Sequence, residues 1–155
     1  MARPRYNPDI HHRRNLRTSH HDYTSTGIYF VTICAEHRDP LFEIPELRQI
    51  LEETWQALPK RFPGVTLDEF VIMPDHVHFI LWLDNAREDP PHLGDVVGAY
   101  KSLTTVAWLR QIKAAGLMCP GRFWQGNYHD HLILDNEELK QTRQYIRTNP
   151  MRKER

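Results

Sequence analysis

Between Val65 and Leu83 two strand-length runs are separated only by Pro74-Asp75, a turn that leaves room for nothing but a hairpin. The second run, His76-Val77-His78-Phe79-Ile80-Leu81-Trp82-Leu83, is the tightest constraint on the fold. Strand period two sends Val77, Phe79, Leu81 and Leu83 to one face and His76, His78, Ile80 and Trp82 to the other. Both faces are mainly apolar, so the strand belongs in the middle of its sheet. Imidazoles in that place need partners, since an unsatisfied buried polar group costs about 1–3 kcal/mol.

A central strand needs neighbours, and the chain offers them. Gly27 to Cys34 is rich in β-branched and aromatic residues and reads as another strand buried on both faces. Pro45 opens a helix with Leu47, Leu51, Thr54, Trp55 and Leu58 on one face, which Pro59 and Pro63 are expected to end. Gly94-Asp95 leads into a longer helix through Val96, Tyr100, Leu103 and Ala107, closing near Gly116. Trp124 to Leu134 holds a fourth strand with its approach loop. Asp135 or Asn136 then caps a last helix, with Glu137 and Glu138 in its first turn and Pro150 as its expected stop. The order predicts an α+β fold: a ferredoxin-like split β-α-β antiparallel sheet with helices on one face, plus an added C-terminal helix. Residues 1–26 lack apolar periodicity and read as a basic arm, and 27–155 as one domain.

Composition agrees with a single domain: the chain has 155 residues, 40% of them hydrophobic and 26% charged. No stretch approaches the ~20 apolar residues that cross a bilayer. Met1-Ala2-Arg3-Pro4-Arg5 is unlike a secretory signal, so a cytoplasmic protein is expected. Cys34 and Cys119 make neither a disulfide framework nor a CxxC metal pair. Lys plus Arg and Asp plus Glu both total 20, so net charge gives no sign of a nucleic-acid partner. The basic residues nevertheless gather at the ends, with acids such as Asp68 and Glu69 between them. If the ends meet, they form a basic face; taken alone, the charges also fit a pair of solvated tails.

Two His at i and i+2 on one strand face converge on a point, where a metal ion would satisfy both. The alternative places His76 in the turn and makes His78 a hydrogen-bonded core residue. In the last helix Tyr145 and Asn149 are four apart and share a face, beside an apolar stripe of Leu139, Thr142 and Ile146. Asn149 precedes proline, so the helix is expected to end there and free the amide for a ligand. A half-buried tyrosine and a cap asparagine are the ordinary fates of these residue types. A phenol can attack a phosphodiester and keep the bond energy as a phosphotyrosine. Phenols are mostly protonated at neutral pH, so a metal that polarises the phosphate must carry much of the activation. Two imidazoles and an amide oxygen suit Mg²⁺ or Mn²⁺. Arg13, Arg14, Arg17, Lys101, Ser102, Arg122 and Arg152 are candidate phosphate contacts, and Trp124 and Tyr128 candidate base-stacking rings. His129 and His131 alternate like His76 and His78 but have no evident third ligand, and read as structural or site-lining.

His76-Val77-His78 resembles the His-hydrophobe-His signature of HUH endonucleases, in particular the IS200/IS605-type single-tyrosine transposases and their REP-associated relatives. Asp22-Tyr23, Val71-Ile72-Met73-Pro74, Tyr100-Lys101-Ser102, Trp124-Gln125 with Tyr128, and Tyr145-Ile146-Arg147-Thr148-Asn149-Pro150 follow in the order of the REP-associated group. The resemblance implies that His76, His78 and Asn149 ligate a divalent metal and that Tyr145 forms a 5′-phosphotyrosine. It implies single-stranded DNA with a short palindromic hairpin as the partner. Asp75 departs from it, standing where relatives often carry Asn. A monomer is expected ahead of a homodimer, associated with the nucleoid. Three readings stand at this point: a DNA nickase and strand transferase, a hairpin-binding module that does not cut, and a metal hydrolase in which Tyr145 is incidental.

Overall fold

The Pro74-Asp75 turn joins β2 (Val65–Met73) to β3 (His76–Asp84), paired antiparallel from Val65↔Leu83 to Met73↔His76. The structure is a computed structural model and describes residues 26–119 and 121–152. β1 (Thr26–Cys34) lies on the other side of β3, and β4 (His129–Ile133) lies outside β1, giving the antiparallel order β2-β3-β1-β4. The two strands that are apolar on both faces are thus the two central ones. Trp124 makes only an isolated bridge to Ala35, so 125–128 is the approach loop to a short β4.

α1 (Pro45–Arg61) and α2 (Leu93–Ala115) cover one face. Val31, Ile33, Val77, Phe79 and Leu81 of the sheet meet Leu51, Trp55, Val97 and Tyr100 of these helices there. Trp55 lies 4.9 Å from the Phe70 ring and 4.8 Å from that of Phe79. Each large apolar side chain buried in this way stabilises the fold by about 1.5–3 kcal/mol. α1 does not stop at Pro59 but continues to Arg61. In the last turn proline removes one helical hydrogen bond, and the buried Trp55 and Leu58 hold the turn in place. α2 ends as expected at Gly116, whose φ of 67° is left-handed.

α3 (Asn136–Arg152) lies on the opposite face, against Phe30, Ile80 and Ile133. Asp135 caps it, accepting the Glu138 N–H at 2.8 Å. The helix runs through Pro150 to Arg152, beyond its expected end. A residue before proline is disfavoured in the helical region but not barred from it, and the inner face of α3 is buried from Leu139 to Asn149. A bulge between Leu67 and Phe70 of β2 carries Asp68 and Glu69. Asp68 accepts two hydrogen bonds from Arg143, at 2.9 and 2.6 Å, and Glu69 accepts two from Arg147, at 2.8 and 2.6 Å. The basic C-terminal helix is therefore compensated by the acids of β2. Among the described residues no helix is long and apolar enough to cross a membrane.

Candidate metal and nucleophile site

On the α3 face of β3, His76 and His78 turn their Nε2 atoms to within 3.1 Å of one another. Each ring is fixed from behind. His76 Nδ1 is 2.6 Å from Asp75 Oδ1, and His78 Nδ1 is 2.8 Å from Thr32 Oγ1, which register places directly opposite on β1. With each Nδ1 facing an oxygen, both Nε2 atoms face one point, where a proton shared between them or a cation satisfies both. Cis ligands of an octahedral ion, at about 2.1 Å from it, lie about 3 Å apart, which the observed spacing matches. His78 is fully buried and His76 nearly so, which limits competition from water.

Asp75 in turn accepts a hydrogen bond of 3.0 Å from Arg38 Nε. Burial raises the affinity of the Asp75 carboxyl for a proton, but its bonds to His76 and Arg38 outweigh that and hold its pKa below the ordinary carboxylate value. Arg38 reaches it from a short turn in which His37 and Arg38 adopt φ of 59° and 56°. Such non-glycine left-handed pairs cost about 1–3 kcal/mol each and gather at functional sites. Asp75 therefore orients His76 with its charge balanced, an assignment the sequence did not supply. Thr32 and Arg38 were missed as well; the only local signal was an acid next to the first histidine.

α3 brings the remaining groups. The Tyr145 ring is 5.6 Å from that of His78 and 6.3 Å from that of Phe30. It lies inside the apolar stripe rather than beside it, buried with Leu139 and Ile146, because a helix lying flat on a sheet buries a wide arc of its surface. Along α3 the ion pairs pass from Asp68 at Arg143 to Glu69 at Arg147, so the helix advances towards the turn that carries His76. Asn149 is one turn, about 5.4 Å, beyond Tyr145. Its amide is buried, and Nδ2 has no hydrogen-bond partner among the described residues. Continuation of the helix, rather than the expected end, keeps Asn149 on the face of Tyr145. Among the described residues no cluster of three or more His, Cys, Asp or Glu could hold a metal. Two imidazoles together with the Asn149 amide oxygen would fit a divalent ion of the Mg²⁺ or Mn²⁺ kind.

The other candidates separate. Trp124 is core, donating its indole N–H to Thr104 Oγ1 at 2.9 Å, so it has no ring face to offer a base. Tyr128 packs on the α1–α2 core, away from the histidines, and burial together with Asp130 raises its pKa. Lys101 donates to the Gln125 carbonyl at 2.6 Å, with burial and the nearby Arg122 depressing its pKa. Gln125 N–H in turn bonds the Cys34 carbonyl, and Cys34 pairs with His76, which sets Lys101 and Arg122 at the histidine end of the sheet. Ser102 and Arg122 are exposed. Arg13, Arg14 and Arg17 and the side chain of Arg152 lie outside the described residues.

Comparison with known proteins adds to this geometry. The family model for IS200-like transposases matches residues 23–149. An uncharacterised protein of Haemophilus influenzae is 31% identical over 173 residues, covering 95% of this chain and 93% of its own length. A protein of the same organism, provisionally named a REP-associated tyrosine transposase, is 26% identical over 142 residues, or 84% of this chain and 74% of its own. Among solved structures, a REP-associated tyrosine transposase bound to a REP hairpin superposes with a TM-score of 0.62 at 20% identity, over 98% of this chain and 74% of that one. A provisionally named transposase of Deinococcus radiodurans does so with a TM-score of 0.53 at 23% identity, over 78% of this chain and 88% of that one. At these identities the solved structures establish the shared fold.

Proposed function

Because the chain belongs to the IS200-like transposase family, we propose that it cuts and rejoins single-stranded DNA beside a hairpin, with Tyr145 as the nucleophile. The observation that carries this reading is the meeting, within one chain, of two convergent Nε2 atoms 3.1 Å apart and a tyrosine ring 5.6 Å from His78. The hairpin preference is supported by the REP hairpin bound to the structural relative and by the sequence likeness to the REP-associated group.

In this reading His76, His78 and Asn149 hold the metal, while Asp75 and Thr32 keep both imidazoles turned towards it. A divalent ion held by these residues would supply Lewis-acid polarisation of the scissile phosphate. Tyr145 Oη gives up its proton to solvent and bonds to phosphorus, and the bond from phosphorus to the 3′-oxygen breaks as that oxygen takes a proton from solvent. The products are a 5′-phosphotyrosine and a free 3′-hydroxyl. Attack of a DNA 3′-hydroxyl on the phosphotyrosine reverses the exchange and joins strands. Lys101 and Arg122 give phosphate contacts at the same end of the sheet.

The test is incubation of the protein with single-stranded hairpin DNA and Mn²⁺, followed by a denaturing gel. A protein–DNA adduct should form, and should vanish with excess chelator and with Tyr145→Phe, while hairpin binding persists. Metal-dependent cleavage that survives Tyr145→Phe without an adduct would make the protein a water-activating hydrolase. Binding without any cleavage would make it a recognition module.

A further inference from the structure

Arg38 stands behind His76 on a turn that the fold holds in a strained shape. The segment from Ala35 to Phe42 is fastened to the β2–β3 turn at both ends. The Ala35 N–H donates to the Asp75 carbonyl at 2.8 Å, and the Phe42 N–H to the Pro74 carbonyl at 3.0 Å. Between these anchors His37 and Arg38 are both left-handed, at φ of 59° and 56°. The ion pair with Asp75 leaves the Arg38 side chain 46% exposed, and so open a pair stabilises a fold by less than two left-handed residues cost it. Stability therefore does not account for the turn.

The geometry of the ion pair shows what the side chain has to offer. Only Nε of the guanidinium donates to Asp75, at 3.0 Å, and the terminal NH₂ groups have no hydrogen-bond partner among the described residues. Such a fork matches two oxygens of one phosphate. Its position ties it to the site. Asp75 holds Arg38 on Oδ2 and His76 on Oδ1, so one carboxylate and one imidazole separate the guanidinium from the point where the Nε2 atoms converge. The Glu36 N–H donates to the Phe123 carbonyl at 2.6 Å, which lays the same turn against the segment that carries Arg122.

Resting on the reading of hairpin DNA as the substrate, we propose that Arg38 binds a backbone phosphate flanking the scissile one. Its terminal nitrogens grip that phosphate while Nε keeps Asp75 on His76. The contact sets the course of the single strand past the histidines and carries no base information of its own.

The test neutralises phosphates one at a time. Each linkage in the single strand beside the hairpin is replaced in turn by an uncharged methylphosphonate, and binding is measured with Mn²⁺ in the Tyr145→Phe protein, which leaves the strand uncut. A few linkages should each weaken binding by about tenfold when neutralised. Adding Arg38→Ala should reduce the effect at one of them to about twofold or less and leave the others in place. The slope of log affinity against log salt should fall by about 0.7, the share of one phosphate on a single strand. Arg38→Gln, which can still donate to Asp75 but carries no charge, should act like Arg38→Ala. Sensitivity that survives both substitutions at every linkage would overturn the assignment. So would its even loss at all linkages, which is what a merely structural residue produces. Bound DNA without a Tyr145 adduct would count against the nucleophile alone, and the scan would still decide Arg38. If the unaltered protein binds no hairpin DNA, the underlying reading fails and this one with it.

Discussion

On β3, His76 and His78 turn their Nε2 atoms to within 3.1 Å of each other; on β4, His131 gives its Nε2 to Glu138 while His129 stays at the surface. The two pairs share spacing, strand period and sheet face, and α3 packs over both. What separates them is the oxygen behind each ring. Asp75 and Thr32 occupy Nδ1 of the first pair and leave Nε2 for a ligand. In the second pair a carboxylate takes Nε2 of the inner member. Spacing brings imidazoles to one face, and the groups behind them decide which nitrogen remains for a metal.

The largest effect should come from exchanging the pairs as targets. His78→Ala should abolish divalent-ion binding and lower cleavage by on the order of 10³-fold or more. His131→Ala should leave metal affinity nearly unchanged and cost about 1–3 kcal/mol of stability, because it strands a half-buried carboxylate. Calorimetric titration with Mn²⁺ and urea unfolding of both variants measure the contrast. Equal loss of metal binding in the two would erase it.

A smaller effect is expected from the oxygens behind the first pair. Asp75→Ala and Thr32→Val should each weaken metal binding by about 10–100-fold without unfolding the chain. Unchanged affinity in both would mean that the convergence of the Nε2 atoms does not depend on them.

These oxygens also mark the limit of what the sequence revealed. The hairpin, the central place of β3 and the shared face of His76 and His78 all follow from period two and a two-residue turn, which are local. Thr32 lies 46 residues from His78, and only the register of β1 on β3 makes them neighbours. Arg38 depends on a left-handed turn that its sequence does not announce. Local rules also shortened the helices at Pro59 and Pro150, where packing of a buried face outweighed proline. The three side chains of the apolar stripe cannot show how wide an arc the sheet will bury, so the sequence places Tyr145 beside the stripe rather than in it. The charges at the chain end resembled a free basic face; Asp68, 75 residues from Arg143, neutralises part of it.

The smallest predicted effect concerns how α3 is held over both pairs. Burial raises the pKa of Asp68, but hydrogen bonds from Arg143 and Trp82 outweigh it and leave the carboxyl below its ordinary value. Asp68 therefore binds a proton more weakly folded than unfolded. Its stabilisation is complete above the ordinary carboxylate pKa, about 4, and is lost as the pH falls through the lowered folded value. Because Arg143 is partly exposed, the contribution should be about 1 kcal/mol or less. Urea unfolding of the unaltered chain and of Asp68→Asn should differ at pH 7 and converge at low pH. A difference independent of pH would show that Asp68 holds α3 by shape rather than charge.

The central claim, that the β3 pair serves a nucleophile on α3 of the same chain, is tested most directly by locating the covalent bond. The protein is allowed to react with hairpin DNA and Mn²⁺, digested with nuclease and protease, and the nucleotide-bearing peptide sequenced by mass spectrometry. The expected result is one modified peptide, with the phosphate on Tyr145, absent in His78→Ala and in excess chelator. A nucleotide on Tyr128 or any other residue, or cleaved DNA with no modified peptide, would contradict it.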